Sequence, residues 1–198
     1  MNARAILCKN FGPPEDLVFE SVPSVELQAY EVRVAVHACG LNFPDKLIVA
    51  GQYQFKPDLP FSPGSEAAGQ IIEVGAQVTQ LSVGDRVVWF GLYGAFREEL
   101  IVDASELIAI PSSMSMTDAA AFLMTYATSL HALKDRAQLS SGETLLVLGA
   151  GGGVGLAAVE IASRMGARVI AAASTDAKLE AEKKHGAEQT INYQRDDL

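Results

Sequence analysis

Sulfur, histidine and tryptophan are scarce in this 198-residue chain: it has two cysteines, Cys8 and Cys39, three histidines and one tryptophan. The cysteines stand in no CxxC or other metal-like spacing, which excludes a disulfide framework and a cysteine zinc cluster and leaves reduced thiols. His37, His131 and His185 share no ligand spacing either, so each reads as an ordinary strand or helix residue. Long apolar runs are missing too. None approaches the roughly 20 residues of a membrane span, and the start, Met1 to Leu7, lacks the apolar core and cleavage site of a signal peptide. Positive charge is the minority, with 15 Lys and Arg against 24 Asp and Glu and a formal net charge of −9. That balance argues against a nucleic-acid or anionic-membrane surface. The expectation is a soluble cytoplasmic protein of one or two domains with a small-molecule partner, no nucleic acid and no membrane.

What the chain does have is an apolar strand running into glycines. Leu145-Leu146-Val147-Leu148 has the continuous apolar character of a parallel strand buried on both faces, and Gly149-Ala150-Gly151-Gly152-Gly153-Val154-Gly155 follows it. Leu156 to Ala162 continues as a helix and Ala167 to Ala173 as a second strand, a βαβ unit of the expected length. Glycines there let backbone approach a pyrophosphate, and the free N–H groups and positive dipole end of the helix attract it. The frame ending on Gly155 carries alanine, Ala150, at its first position. A flexible linker is the competing reading, but a linker has no reason to be bracketed by a buried strand and an apolar helix.

The end of the second strand bears on which dinucleotide fits. An NAD site places Asp or Glu there to accept from the ribose 2′-hydroxyl, whereas this chain has Ala173-Ser174-Thr175. Ser174 can donate to a 2′-phosphate and Lys178, one turn into the next helix, can neutralise it, which favours NADPH. Asp176 reads as a helix N-terminal carboxylate rather than a ribose ligand, and Lys178 reads equally as a solvated helix residue.

The first half holds short apolar segments separated by turn signals: Arg4 to Leu7, Leu17 to Val22, Glu31 to Val36, Gly69 to Val74, Arg86 to Phe90, Phe96 to Val102 and Leu107 to Ile110. Their spacing predicts an all-β unit, in which Val32, Val34 and Val36 alternate with Arg33, Ala35 and His37 along a half-buried strand. Thr117-Asp118 opens an Ala-rich helical region to about Leu133. Beyond it the order is βαβαβ, through a charged helix from Thr175 to His185 and a strand over Gln189 to Tyr193. A complete doubly wound domain uses two such halves, so the end at Leu198 suggests a truncated or partial chain whose sheet edge is left exposed.

Several passages together resemble the zinc-independent NADPH:quinone oxidoreductases, the zeta-crystallin-like group of the medium-chain dehydrogenase/reductase superfamily. They are Gly40-Leu41-Asn42-Phe43-Pro44-Asp45, Pro63-Gly64-Ser65-Glu66-Ala67-Ala68-Gly69, Gly84-Asp85-Arg86-Val87, and Gly142-Glu143 leading into the glycine loop. The resemblance implies a GroES-like β domain, assigned to residues 1–125, followed by the first half of a Rossmann NADP-binding domain, residues 126–198. It implies a homodimer at full length. It also implies hydride transfer from NADPH to a quinone or other α,β-unsaturated carbonyl. An enoyl-thioester (enoyl-CoA) reductase is the near alternative, and an inactive dinucleotide-binding or interaction module the alternative of a different class.

By the same resemblance, Asn42 lies beside the nicotinamide and ribose, Thr128 touches the nicotinamide or adjoining phosphate, and Gly152, Gly153 and Val154 hold the pyrophosphate. Ser174, Lys178 and Tyr193 surround the 2′-phosphate. Tyr53 is a candidate proton donor. The plainer readings remain beside these: Asn42 as a turn residue, Thr128 as a helix cap, Tyr193 as a strand residue and Tyr53 as an aromatic loop anchor. Zinc-dependent relatives carry cysteine where this chain has Asn42 and histidine where it has Ser65; catalytic zinc needs three good ligands, and Glu66 alone does not meet that, so no metal is expected. Cys39 reads as a small buried hydrophobe. Glu160 stands where the family often has glutamine and is expected to face along its helix.

Overall fold

The computed structural model describes residues 2–196 and divides into two compact units, Met1–Ala121 and Phe122–Leu198. In the first unit, β1 (Asn2–Leu7) pairs antiparallel with β2 (Val18–Pro23). Five further strands, β3 (Glu31–Cys39), β4 (Glu66–Val74), β5 (Arg86–Phe90), β6 (Glu99–Asp103) and β7 (Leu107–Ala109), form an antiparallel sheet in the order β6-β3-β4-β5-β7. This is the all-β unit expected from the segment spacing and the GroES-like domain implied by the resemblance.

The core of that sheet gathers Val32, Val34, Ile71, Val87, Trp89 and Leu100. Trp89 satisfies its indole N–H by donating to the Glu106 carboxylate at 3.0 Å. Strict alternation along β3 fails at Arg33, which is as buried as the valines around it. The reason is pairing: its guanidinium donates to Glu73 on β4 at 2.8 Å, to Glu99 on β6 at 3.3 Å and to the Val25 carbonyl at 2.7 Å. A cation can be buried there because each flanking strand supplies a carboxylate.

Helix α1 (Phe43–Val49) starts at Asn42, with a proline in its first turn, and buries Ile48 and Val49 against Cys8 and Phe61. A short α2 (Met116–Ala119) is capped by Ser115, whose hydroxyl accepts from the Asp118 N–H at 3.0 Å.

In the second unit, β8 (Thr144–Leu148), β9 (Arg168–Ala173) and β10 (Gln189–Asn192) form a parallel sheet in the order β10-β9-β8. Helices α4 (Gly153–Arg164) and α5 (Asp176–Lys184) make the crossovers, giving the Rossmann-type βαβαβ. The expected Ala-rich helix is not continuous. After α2, two π-helical turns, Leu123–Ala127 and His131–Arg136, flank the single turn α3 (Thr128–Leu130), an arrangement frequent near functional sites.

Burial of β8 on both faces is not what the structure has. Leu145 and Val147 join the core with Val159, Val169 and Ala171, while Leu146 and Leu148 are 46 % and 64 % exposed. Side chains alternate along a strand, and two right-handed crossovers progressing the same way across a sheet put both helices on one face. Among the described residues, no helix is long and apolar enough to cross a membrane.

Candidate functional site

In the second unit the site is the junction of β8 and α4. Gly149 turns the chain with a φ of +63°, and Ala150, fully buried, pairs its N–H with the Ala172 carbonyl at 3.1 Å. The left-handed residue therefore precedes the frame Ala150-x-Gly152-x-x-Gly155, which is why alanine is tolerated at the frame's first position. Gly152 is the N-cap of α4, and Gly152, Gly153 and Val154 are exposed. The N–H groups of that first turn and the helix dipole make an anion-binding end.

Gly155 has a different role: a Cβ there would stand 2.6 Å from the Gly149 carbonyl oxygen and 2.7 Å from the Ala150 Cα. It lets α4 press onto the end of β8. The α3 turn braces the same place, with the Ser129 hydroxyl donating to the Val154 carbonyl at 2.8 Å. Thr128 itself is exposed, in α3.

Ser174 and Lys178 follow the end of β9, and Tyr193 joins them by donating its N–H to the Ala173 carbonyl at 3.2 Å. Lys178 is exposed and lays its stem against Gly151; a Cβ at Gly151 would meet the Lys178 Cδ at 2.6 Å. Asp176, in the first turn of α5, accepts from Asn192 Nδ2 at 2.9 Å and from Arg195 Nη1 at 3.1 Å, and is ion-paired with Arg195 Nη2 at 3.1 Å. Arg195 is a residue the sequence reading passed over, because nothing in a polar tail indicates that a turn after β10 returns it to α5.

Glu160 does not simply face along its helix. It accepts from the Tyr126 hydroxyl at 2.8 Å, from Arg164 Nε at 3.1 Å and bonds His185 Nδ1 at 3.2 Å. The Tyr126 hydrogen bond foremost holds its carboxyl below the ordinary glutamate range. Tyr126 also stacks on Phe122, with centroids 4.9 Å apart.

In the first unit the site forms where β3 hands over to α1. The Asn42 N–H donates to Asp45 Oδ2 at 2.7 Å, and Asn42 Nδ2 donates to Glu66 Oε1 at 3.0 Å and Ser65 Oγ at 3.4 Å. Asn42 is half-buried, whereas Asp45, Ser65 and Glu66 are buried. Burial raises the Asp45 carboxyl above the usual carboxylate range, and hydrogen bonds from Asn42 and Ser65 oppose that rise. A small apolar cavity of about 130 Å³, lined by Leu17, Leu41, Asn42, Asp45, Val49 and Phe96 among others, adjoins these groups.

Tyr53 rests half-buried against the cluster of Cys8, Ile48, Val49 and Phe61. Cys39 is exposed rather than buried. Its thiol donates to the Ala95 carbonyl at 2.9 Å, and desolvation together with the Asp45 charge pushes its pKa up to about 11. It is not a reactive thiolate.

The alcohol dehydrogenase GroES-like domain family matches residues 28–112, and the zinc-binding dehydrogenase family matches residues 153–198. A quinone oxidoreductase-like protein 2 homolog of Nematostella vectensis is 46 % identical over 98 % of this chain and 53 % of its own length. The Escherichia coli quinone oxidoreductase complexed with NADPH superposes with a TM-score of 0.91 at 32 % identity, covering 100 % of this chain and 60 % of that one. Polyketide synthase GfsB of Streptomyces halstedii is 47 % identical over 75 % of this chain and 3 % of its own length. The chain thus spans just over half the length of the Nematostella relative. The two family matches, the relatives along the whole chain and the shared fold agree in likening the chain, over its full length, to the quinone oxidoreductases of the medium-chain dehydrogenase/reductase superfamily.

Proposed function

We propose that the chain serves an NADPH-dependent, zinc-independent oxidoreductase that delivers hydride to a quinone or another α,β-unsaturated carbonyl. The observation that carries the cofactor assignment is the engagement of Asp176. An NAD site requires a carboxylate free to accept from the ribose 2′-hydroxyl. Here Arg195 grips both Asp176 oxygens and Asn192 adds a third bond, while Ser174 and Lys178 are left for a 2′-phosphate, with Tyr193 beside them.

Bound NADPH supplies the hydride. Around it, Gly152, Gly153 and Val154 hold the pyrophosphate through first-turn N–H groups. Thr128 contacts the nicotinamide or adjoining phosphate, Asn42 orients the nicotinamide end, and the Tyr53 hydroxyl gives the proton that completes reduction of a conjugated double bond. The apolar walls of the cavity beside Asn42 suit a ring or alkyl group of the acceptor.

A zinc ion does not fit the donor set. Asn42 offers an amide nitrogen already bound to Glu66, and Ser65 offers a hydroxyl, neither of which is a zinc ligand of the Cys, His or carboxylate type. Asp45 has one oxygen committed to the Asn42 N–H. The likeness to a polyketide synthase favours, as a second reading, reduction of an enoyl thioester by the same residues.

The test is titration of the chain with NADPH and NADH, followed by turnover with a benzoquinone, an enone and an enoyl-CoA. Lys178→Glu is expected to weaken NADPH binding about tenfold or more, the worth of a charge-assisted bond, and to leave NADH binding nearly unchanged. Equal losses for both remove the case for NADPH. NADPH binding without turnover of any acceptor identifies a binding module instead, and a stoichiometric zinc ion by metal analysis refutes the metal-free assignment.

A further inference from the structure

A carboxamide has two ends of opposite hydrogen-bonding sense, and the partners it finds decide which end a ligand meets. At Asn42 those partners are Glu66 and Ser65. Nδ2 lies 3.0 Å from Glu66 Oε1 and 3.4 Å from Ser65 Oγ, so both amide hydrogens are engaged. The reversed amide would set Oδ1 against Glu66 Oε1, lone pair to lone pair.

Glu66 has no room to yield. Its side chain is among the most completely buried in the molecule, at 1 % exposure, and it fills the space that a Cβ at Gly40 would need. Such a Cβ would stand 2.3 Å from Glu66 Oε1, 2.6 Å from its Cγ and 2.4 Å from the Ala120 carbonyl oxygen. The main chain is pinned as well, with the Gly40 N–H donating to the Glu66 carbonyl at 3.1 Å. Gly40 thus makes the place that Glu66 occupies, and Glu66 orients Asn42.

We propose that Glu66 is a positioning residue that fixes the Asn42 side chain as an acceptor, so that Asn42 receives a hydroxyl group of its ligand and does not donate to a carbonyl oxygen. This rests on the reading that Asn42 lines the ligand site. The hydroxyl belongs either to a ribose of the dinucleotide or to the hydroquinone formed from a quinone; the two share the chemistry that Asn42 selects. Stabilising charge on the acceptor's carbonyl oxygen during hydride transfer then falls to a group other than Asn42.

The test compares wild type, Glu66→Gln, Asn42→Asp and the double variant, each checked for folding by circular dichroism and thermal melting. NADPH and, separately under anaerobic conditions, 1,4-benzohydroquinone are titrated calorimetrically. Glu66→Gln supplies a donor to Asn42, releases the amide to turn, and is expected to weaken the hydroxyl ligand about fivefold, the worth of one hydrogen bond. Asn42→Asp alone sets two carboxylates against each other and weakens binding at least as much.

In the double variant the introduced amide donates to the introduced carboxylate, whose second oxygen is again an acceptor, and affinity returns to within about twofold of wild type. Loss confined to the NADPH arm assigns the hydroxyl to the ribose, and loss confined to the other arm assigns it to the hydroquinone. Unchanged affinity in Glu66→Gln for both ligands overturns the proposal, as does a double variant no better than the worse single. The through-hydrogen-bond coupling between Asn42 Nδ2 and the Glu66 carboxyl carbon is read by NMR without ligand. Wild type that has this coupling yet binds neither ligand refutes the reading of the site, while wild type that binds without it refutes the role of Glu66.

Discussion

Gly155→Ala separates the two duties that the glycine loop performs. The added methyl would sit 2.6 Å from the Gly149 carbonyl oxygen, 2.7 Å from the Ala150 Cα and 2.8 Å from the Ala150 carbonyl oxygen. All three are backbone atoms at the end of β8, so relief requires α4 to move off the sheet by roughly 0.8 Å to regain ordinary contact. Overpacking of this kind costs about 1–3 kcal/mol. Against it, alanine improves the helix by about 1 kcal/mol over glycine, leaving a net loss of up to roughly 2 kcal/mol. Gly152→Ala is the control. Its Cβ would meet nothing closer than 3.5 Å, and the φ of −89° suits any residue, so stability should hold within about 0.5 kcal/mol. The methyl projects from the exposed loop, however, and weakens NADPH. Urea denaturation at constant m reads the first effect and NADPH titration the second. A Gly155→Ala protein more stable than wild type, or a Gly152→Ala protein that loses stability rather than affinity, would falsify the division of labour.

Two other perturbations concern carboxylates of the second unit. Glu160→Gln weakens the tie among Tyr126, Arg164 and His185 and should cost about 1 kcal/mol near neutrality. Because the folded pKa of Glu160 lies below its unfolded value, this contribution is full above the unfolded pKa and fades as pH falls through the folded one. The gap between variant and wild type should therefore narrow in acid, and a gap of constant size from about pH 7 to pH 3 rules the linkage out. Glu182 is fully buried on α5 and neither carboxyl oxygen has a hydrogen-bond partner among the described residues; burial raises its pKa, and the charge of Lys178 opposes this only in part. A raised folded pKa means the group's favourable contribution is present at low pH and lost as pH rises through that pKa. Glu182→Met should thus stabilise the protein by about 1–3 kcal/mol at pH 8 and by less at about pH 5. Thermal melts at the two pH values decide it, and a destabilised variant at pH 8 contradicts the assignment.

Local pattern made most of the fold legible. The valine alternation of β3, the glycine turn after Leu148 and the apolar spacing of α4 each depend on neighbours a few residues away, and such periodicities appear directly in a sequence. Composition likewise disfavours a disulfide framework or a nucleic-acid surface. What the sequence did not carry were pairings between distant segments. Arg33 is buried because strands 40 and 66 residues away bring Glu73 and Glu99 to it, and Leu148 is exposed because both crossover helices cover the opposite face. The same holds at the candidate site. Asn42, Ser174 and Lys178 were singled out by motif and residue type, but Arg195 clasping Asp176 and Glu66 gripping Asn42 are tertiary facts. Sequence alone determined that a β unit precedes a dinucleotide-binding βαβαβ, since strand and helix periods are local. Only the tertiary structure decided which polar groups remain open to a ligand, since a hydrogen bond is satisfied by whatever the fold places within about 3 Å of it.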